Sequence, residues 1–277
     1  MLGTELTGLL RARNAQVHPM ARGDLDLRDE SAVRDVLREH RPTIVVNCAA
    51  WTAVDDAETR EHDALAVNGT AVAALAAACT EVGATMVQVS TDYVFDGTAS
   101  EPYAEGTPTA PVNAYGRTKL AGERAVLDAG AGYVVRTAWL YGEHGPNFVT
   151  TMAKLAAERD TVDVVSDQHG QPTWTADLAE RIITLAGSGA PRGVYHGTNS
   201  GRTSWYGLAR EIFTVLGLEP DRVRPTTSER FPRPARRPAW SVLGHDAWAA
   251  AGLSPMRDWR DALHAACDFL DLPGERA

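Results

Sequence analysis

Lysine is nearly absent from this chain of 277 residues, which has two lysines among its 27 basic residues. The formal net charge is -9, and the arginines form no basic stripe apart from a short run with proline at 230–237. Because binding to nucleic acid without regard to sequence needs a basic surface, this composition argues against nucleic-acid partners. Cys48, Cys79 and Cys267 are odd in number and far apart, so the sequence predicts neither a disulfide framework nor a zinc site.

Long apolar runs are lacking as well. No uninterrupted apolar segment approaches the roughly 18 residues that cross a bilayer, and the first five residues lack the charged and apolar regions of a signal peptide. Hydrophobic residues at 44% and charged residues at 23% are typical of a globular protein. We therefore expect a cytoplasmic protein without a membrane partner.

Short β-branched segments alternate with longer segments rich in Ala and Leu, which is typical of βαβ units around a parallel sheet. We predict an α/β fold with a doubly wound parallel sheet. Residues 1–143 would form a dinucleotide-binding domain, and residues 144–277 a smaller C-terminal substrate lobe, partly threaded back onto the first domain. The predicted strands are 43–47, 85–90, 133–137 and 162–166, and the predicted helices are 29–40, 57–82, 113–128, 147–159, 175–186 and 204–216.

Tyr115 and Lys119 form the most informative pair, because the scarcity of lysine makes a chance Tyr-x-x-x-Lys spacing rare. On a helix, positions i and i+4 lie on one face, so the ammonium can lie near the phenol and favour its ionised form. The pair would then supply a proton near neutral pH. An isolated pair of this kind is more often an aromatic and a cation on a solvated helix face, so the assignment depends on the surrounding motifs.

Six segments, of which the third contains this pair, follow one another along the chain: NCAAWTAVD at 47–55, STDYVFDG at 90–97, YGRTKLAGE at 115–123, RTAWLYG at 136–142, DQHGQPT at 167–173 and RPAWSVL at 237–243. Together they resemble the motifs of the dTDP-4-dehydrorhamnose reductases, a family of the extended short-chain dehydrogenase/reductase superfamily with a Rossmann-like sheet. The tyrosine and lysine alone indicate only the superfamily. The segments STDYVFDG and DQHGQPT narrow the resemblance to the dTDP-4-dehydrorhamnose reductases.

The resemblance implies NADPH-dependent reduction of the C4 ketone of a dTDP-4-keto-6-deoxy-L-hexose, giving dTDP-L-rhamnose or a related antibiotic deoxysugar. Tyr115 would protonate the alkoxide that forms when hydride reaches the carbonyl carbon. Lys119 would bind the nicotinamide ribose and lower the pKa of the tyrosine. The Thr91 hydroxyl would hydrogen-bond the ketone oxygen. NADH stays open as the alternative cofactor.

The resemblance also implies contacts with the substrate and the cofactor. The implied substrate contacts are Thr91, Asp92, Tyr93, Trp139, Gln168, Thr173 and Arg237. The implied cofactor contacts are Gly3, Arg22, Asp26, Leu27, Ala50, Trp51, Thr52, Tyr115 and Lys119. Several have structural alternatives: Asp92 as a turn cap, Trp139 as a core residue, and Gln168 and Thr173 as parts of a turn. Arg22, after a presumed second strand, could hold the 2′-phosphate of NADP or simply be solvated.

This chain departs from the family pattern at its amino end. Folds of this kind begin with a strand and a Gly-x-x-Gly-x-x-Gly turn that places the pyrophosphate at a helix amino end. Gly3 matches only the final glycine, so the first strand and two glycines are missing. We therefore expect the open reading frame to start upstream of Met1 and to encode a short apolar strand ending in Gly-x-x-Gly.

Two other functions stay open at this point. One is a nucleotide-sugar epimerase or dehydratase of the same superfamily that retains bound NAD, against which the DQHGQPT segment argues. The other is a non-catalytic NADP-binding regulatory subunit, like the beta subunit of methionine adenosyltransferase. The complete set of Thr91, Tyr115 and Lys119 favours catalysis, whereas the missing glycines favour the subunit. The sequence leaves open the deoxysugar, a homodimer and a structural magnesium ion.

Overall fold

The structure, a computed structural model, describes residues 1–270; residues 271–277, which end the predicted C-terminal lobe, lie outside the described residues. The helices are α1 Leu2–Ala12, α2 Glu30–His40, α3 Val54–Ala57, α4 Glu61–Leu65, α5 Ala71–Val82, α6 Ala114–Asp128, α7 Phe148–Glu158, α8 Thr175–Gly187, α9 Trp205–Val215, α10 Asp246–Ala250 and α11 Trp259–Cys267. The strands are β1 Ile44–Asn47, β2 Thr85–Thr91, β3 Gly132–Thr137, β4 Leu140–Tyr141, β5 Val162–Val165, β6 His169–Gly170, β7 Thr173–Trp174, β8 Gly193–His196, β9 Thr203–Ser204 and β10 Val223–Thr226.

The central sheet consists of four parallel strands in the order β1-β2-β3-β8. Side chains alternate between the two faces of each strand. Tyr133 and Val135 of β3 pack in a cluster with residues of α1 and α8, whereas Val134 packs with residues of α2 and α5. Helices therefore cover both faces, which confirms the predicted α/β fold with a parallel sheet. β1 lies at the edge of this sheet, where Ile44 is 39% exposed.

The segment before Arg22, presumed to be a second strand, is not a strand in the structure. Residues 13–29 form turns and irregular backbone. A strand needs a neighbour to satisfy its backbone hydrogen bonds, and within residues 1–270 no strand pairs with the free edge of β1. The segment before Arg22 does not pair with this edge, so the expectation of a strand there is wrong.

The predicted helix 57–82 is interrupted in the structure. α3 ends at Ala57, and a π-helical turn at Ala66–Thr70 joins α4 to α5. This turn packs tightly on α6, because a Cβ atom on Gly122 would lie 2.2 Å from the carbonyl oxygen of Asn68. Only glycine permits so close an approach of two helices. The packing places Asn68 within reach of the loop that follows β1.

The continuous helical stretch Glu61–Val82 is long and apolar enough to cross a membrane by length and composition alone. The stretch is not the uninterrupted apolar run that the sequence was expected to lack, because Asn68 and Thr70 lie within it. In the structure this stretch is a core helix: Val72, Leu75 and Cys79 are buried, in one cluster with Val33 of α2 and Met86 of β2. Its apolar composition is explained by this packing.

Residues after 143 contribute both to the central sheet and to a second core. β8 pairs with β3, and α8 shares a hydrophobic cluster with α1. The second core contains Trp174, Phe213 and Trp259, from β7, α9 and α11. The predicted strand 162–166 forms β5, which pairs with β10 in a separate two-stranded sheet and leaves Asp163 in solvent. The domain boundary at residue 143 stays a prediction.

Candidate active site

The amino end of α6 lies against the turn that follows β2. Asn113 caps the helix by accepting a hydrogen bond from the Gly116 amide at 2.8 Å. A Cβ atom on Gly116 would lie 2.2 Å from the Tyr93 carbonyl oxygen, so the approach requires glycine. Tyr115 is thereby held beside Tyr93, with ring centroids 6.0 Å apart in an edge-to-face arrangement.

Thr91 is the last residue of β2 and is buried. Its hydroxyl donates a hydrogen bond to Asp92 Oδ1 at 2.9 Å and accepts one from the Tyr93 amide at 3.2 Å. Together with Tyr115 these residues form a cluster at the carboxyl end of a central strand. The structure thus brings together four of the predicted site residues at the sheet edge where ligands of open α/β folds bind.

Asp92 is 3% exposed, and its Oδ2 atom has no hydrogen-bond partner among the described residues. Burial raises the pKa of its carboxyl group to about 6, while the hydroxyls of Ser241 and Thr91 oppose the rise. Burial disfavours the charged form of any carboxylate that lacks compensating donors. The Asp92 carboxyl group therefore changes its charge close to neutral pH.

Lys119 lies one turn after Tyr115 and is buried, with its Nζ donating to the Val89 carbonyl oxygen at 2.7 Å. Burial lowers its pKa to about 8, and the Glu123 carboxylate opposes this. The sequence predicted that Lys119 lowers the pKa of Tyr115. In the structure the pKa of Tyr115 lies above its usual range instead, because burial and the Asp92 carboxylate raise it and the Thr91 hydroxyl only partly opposes them.

A buried ion pair that the sequence reasoning did not single out lies beneath this cluster. Glu123 accepts hydrogen bonds from Arg136 Nε at 3.0 Å and Nη2 at 2.7 Å, and from Ser90 Oγ at 2.5 Å. Ser90 precedes Thr91, and Glu123 lies eight residues after Tyr115, so the pair connects β2, β3 and α6. Both charged residues occur in the recognised segments, and the available signal was the position of Glu123 about two helical turns after Tyr115.

Arg237 reaches the cluster from the C-terminal part of the chain. Its Nη1 atom pairs with Asp55 Oδ1 at 3.0 Å, and both side chains are partly exposed. Burial and the Asp92 carboxylate raise the pKa of Tyr93, whereas the Arg237 guanidinium opposes the rise. The structure therefore places Arg237 at the border of the cluster, as a cation already engaged with a carboxylate.

Trp139 follows β3 and has a φ of +47°, in the left-handed region that a tryptophan rarely adopts. Its ring stacks on Trp205 of α9, with centroids 3.6 Å apart, and its carbonyl oxygen accepts a hydrogen bond from the Thr173 amide at 3.1 Å. A Cβ atom on Gly170 would lie 2.6 Å from the Trp139 ring. The surrounding residues thus hold Trp139 in a strained conformation, which is characteristic of functional positions.

Gln168 and Thr173 are not part of the cluster. The Gln168 amide donates to Ser228 Oγ at 2.8 Å, in the short helical turn that follows β10. Thr173 is 0% exposed, and its hydroxyl donates to the Gln171 carbonyl oxygen at 3.3 Å. Both side chains therefore stabilise the loops that hold Trp139 and Ser228, which is the structural alternative considered for them.

The loop after β1 carries three of the predicted cofactor contacts, Ala50, Trp51 and Thr52. The Trp51 amide donates to Asn68 Oδ1 at 2.8 Å, and Asn68 Nδ2 donates back to the Trp51 carbonyl oxygen at 3.1 Å. Asn68, which the sequence reasoning missed, thereby fixes the backbone of this loop. A lone asparagine in an alanine-rich helix was the available signal. Gly3 of α1 lies nearby, since a Cβ atom there would lie 3.7 Å from the Cys48 Cβ.

The remaining predicted cofactor contacts lie in the segment between α1 and α2. Arg22 is exposed. The Asp26 carboxylate accepts hydrogen bonds from Arg28, which hold the pKa of Asp26 below its usual range. Leu27 packs partly against the core cluster that contains Val33. Within residues 1–270, no group of three or more His, Cys, Asp or Glu residues is arranged to hold a metal ion.

Comparisons with known proteins agree on one family. The family model described as the RmlD substrate binding domain matches residues 1–271. The dTDP-4-dehydrorhamnose reductase of Streptomyces griseus is 57% identical over 269 residues, which cover 95% of this chain and 88% of that protein. The dTDP-4-keto-6-deoxy-D-glucose reductase of Streptomyces niveus is 54% identical over 273 residues, covering 98% and 94%. The solved structure of the Bacillus anthracis dTDP-4-dehydrorhamnose reductase in complex with NADP is 38% identical, with a TM-score of 0.93 and coverage of 97% and 95%.

Proposed function

The chain belongs to the family of the dTDP-4-dehydrorhamnose reductases, and from this membership we propose that it reduces the C4 ketone of a dTDP-linked 4-keto-6-deoxysugar with NADPH. The observation that carries the proposal is the cluster of Thr91, Tyr115 and Lys119 at the carboxyl end of β2. A non-catalytic regulatory subunit would not require these three residues. The relatives above are named as reductases, which favours this activity over an epimerase or dehydratase.

The residues around β1 and Lys119 fit a nicotinamide dinucleotide, which supplies the hydride when it is bound. α1 begins at Leu2 near Cys48, and a helix amino end attracts phosphate. The Lys119 ammonium has three N–H donors, of which one is used by Val89 within residues 1–270. The other two would bind the nicotinamide ribose hydroxyls. Trp51 and its neighbours, held by Asn68, would contact the ribose and pyrophosphate through their backbone.

Tyr115 would be the general acid. As the carbonyl carbon is reduced, its oxygen becomes an alkoxide and takes the phenol proton. A phenol whose pKa is raised by burial keeps its proton until that alkoxide forms. The Lys119 ammonium would stabilise the phenolate that remains, and Thr91 would donate a hydrogen bond to the same oxygen. Positioned donors of this kind often supply the largest part of catalysis.

For the sugar itself we propose contacts with Asp92, Tyr93 and the Trp139 ring, with Arg237 facing the diphosphate. The Asp55 carboxylate now paired with Arg237 would have to share this cation with the substrate. Gln168 and Thr173 would act indirectly, by ordering the loops around Trp139. We propose dTDP-4-dehydrorhamnose as the substrate and a related 4-keto-6-deoxyhexose as the alternative. A cytoplasmic location and a homodimer are further parts of this proposal, the second testable by light scattering.

The test measures the loss of nicotinamide absorbance after purified protein is mixed with dTDP-4-keto-6-deoxyhexoses of L and D configuration. Each sugar is assayed with NADPH and with NADH. Tyr115→Phe should lower kcat about 10²- to 10⁴-fold, the range typical of a general acid, and should leave NADPH binding intact. NADPH binding without turnover on any keto sugar would support the regulatory subunit. Near-normal turnover of the phenylalanine variant would refute the role of Tyr115.

A further inference from the structure

The Asp92 carboxyl group is buried in the candidate active site with half of its hydrogen-bonding capacity unused. Its Oδ1 accepts the Thr91 hydrogen at 2.9 Å, and its Oδ2 has no partner among the described residues. A buried carboxylate oxygen without a donor is costly in the ionised state. A protonated carboxyl group would relieve this cost, because it carries no charge and can donate a hydrogen bond itself.

The Thr91 hydroxyl has one hydrogen and two lone pairs. In the structure the hydrogen points to Asp92, and one lone pair accepts the Tyr93 amide at 3.2 Å. A ketone oxygen can only accept hydrogen bonds. As long as Asp92 takes the Thr91 hydrogen, Thr91 offers a substrate ketone a lone pair and no donor. The arrangement shown is therefore unsuited to the role proposed for Thr91.

We propose that Asp92 is a positioning residue that acts through Thr91: when protonated it donates to Thr91 Oγ1, and the Thr91 hydrogen turns to the substrate ketone. The inference rests on the proposed function, since it needs a ketone at this site. The Asp92 proton stays on Asp92 throughout. The alkoxide receives its proton from Tyr115, so the overall proton balance of the reduction is unchanged.

The surroundings of Asp92 are consistent with a change of its charge near neutral pH. Burial raises the pKa of Asp92 to about 6. The phenols of Tyr93 and Tyr115 face it from its own turn and from α6, and burial raises the pKa of both, so they are neutral in this range. The Ser241 hydroxyl faces it from the C-terminal part of the chain, but donates its hydrogen bond to the His169 carbonyl oxygen at 3.4 Å. Beyond Tyr93, the Arg237 guanidinium is paired with Asp55.

The expected consequence is a fall of kcat/KM between pH 5.5 and 7.5. With a pKa of about 6, the protonated fraction of Asp92 falls about 25-fold over this interval, and kcat/KM should fall by about the same factor. Asp92→Asn replaces the carboxyl group with a neutral amide that donates to Thr91 at every pH. Its kcat/KM should be flat over the interval. Asp128→Asn, at the exposed end of α6, is the matched control and should keep the wild-type profile.

Two further measurements separate this role from a merely structural one. Thr91→Val has no hydroxyl to orient, so its residual activity should also lose the fall between pH 5.5 and 7.5. Difference infrared spectra of the substrate-free protein should show a protonated carboxyl band at the lower pH that is missing in Asp92→Asn. The appearance of this band in the wild type does not depend on turnover.

The possible outcomes distinguish the inference from the function on which it rests. Suppose that the wild-type enzyme reduces the keto sugar and that Asp92→Asn or Thr91→Val retains the wild-type pH profile. This result would overturn the role of Asp92 alone. A band that is absent from the wild type at the lower pH would do the same. A wild type that oxidises no NADPH at any pH would overturn the proposed function, and the inference with it. Flat profiles in both variants, beside a falling one in the wild type and in Asp128→Asn, would establish it.

Discussion

Arg136→Met should destabilise the protein far more than a comparable change at the surface. The Glu123 and Arg136 side chains are 1% and 5% exposed, and Arg136 donates two of its hydrogen bonds to the carboxylate at 3.0 and 2.7 Å. Removing the arginine leaves the buried carboxylate with Ser90 as its remaining side-chain donor. Breaking a buried pair on one side typically costs about 3 to 5 kcal/mol. We expect a decrease of that size in the free energy of unfolding.

Arg117, on the helix α6 that also carries Glu123, offers a matched control. Its guanidinium pairs with Glu61 through Nε at 2.8 Å and Nη2 at 2.7 Å, so the geometry resembles the buried pair, but the two side chains are 46% and 43% exposed. Exposed pairs contribute about 0 to 1 kcal/mol. Arg117→Met should therefore cost a small fraction of the loss in Arg136→Met. Urea denaturation at neutral pH measures both variants against the wild type.

The double variant Glu123→Leu with Arg136→Met completes the test. Replacing a buried pair by apolar residues of similar volume is often neutral or stabilising, so the double variant should regain most of the stability lost in Arg136→Met. Equal losses in Arg136→Met and Arg117→Met would refute the reasoning, because they would mean that water reaches the buried pair. A double variant no more stable than Arg136→Met would show that the cost comes from packing rather than from the unpaired charge.

Two further substitutions test the proposed contacts with the cofactor and the sugar. If Arg22 holds the 2′-phosphate, Arg22→Ala should raise the KM for NADPH about ten- to a hundredfold, since a charge-assisted hydrogen bond is worth about 1.5 to 3 kcal/mol; an equal change in the KM for NADH would contradict this role. Gly170→Ala should raise the KM for the keto sugar and change the near-ultraviolet circular dichroism, because the new Cβ would lie 2.6 Å from the Trp139 ring that stacks on Trp205; an altered spectrum with an unchanged KM would mean that Trp139 does not contact the sugar.

Local sequence patterns predicted the elements that position the site. The β-branched segments 43–47, 85–90 and 133–137 match β1, β2 and β3, and the helix that carries Tyr115 begins after Asn113, the first residue of the predicted helix 113–128. These predictions succeeded because strand and helix periodicity depend on neighbouring residues. The break at 58–60 and the π-helical turn at Ala66–Thr70 could not be read in this way, since the π-helical turn packs against Gly122 of another helix.

The sequence by itself determined the α/β class, the family and the presence of Thr91, Tyr115 and Lys119, because each of these depends on residue type and short spacing. Only the tertiary structure decided the state of those groups. Burial raises the pKa of Tyr115 and lowers that of Lys119, Asp92 takes the Thr91 hydrogen, and the ammonium bonds to Val89 rather than to the phenol. Desolvation and hydrogen-bond partners come from residues distant in sequence, so they cannot be predicted from local residue spacing.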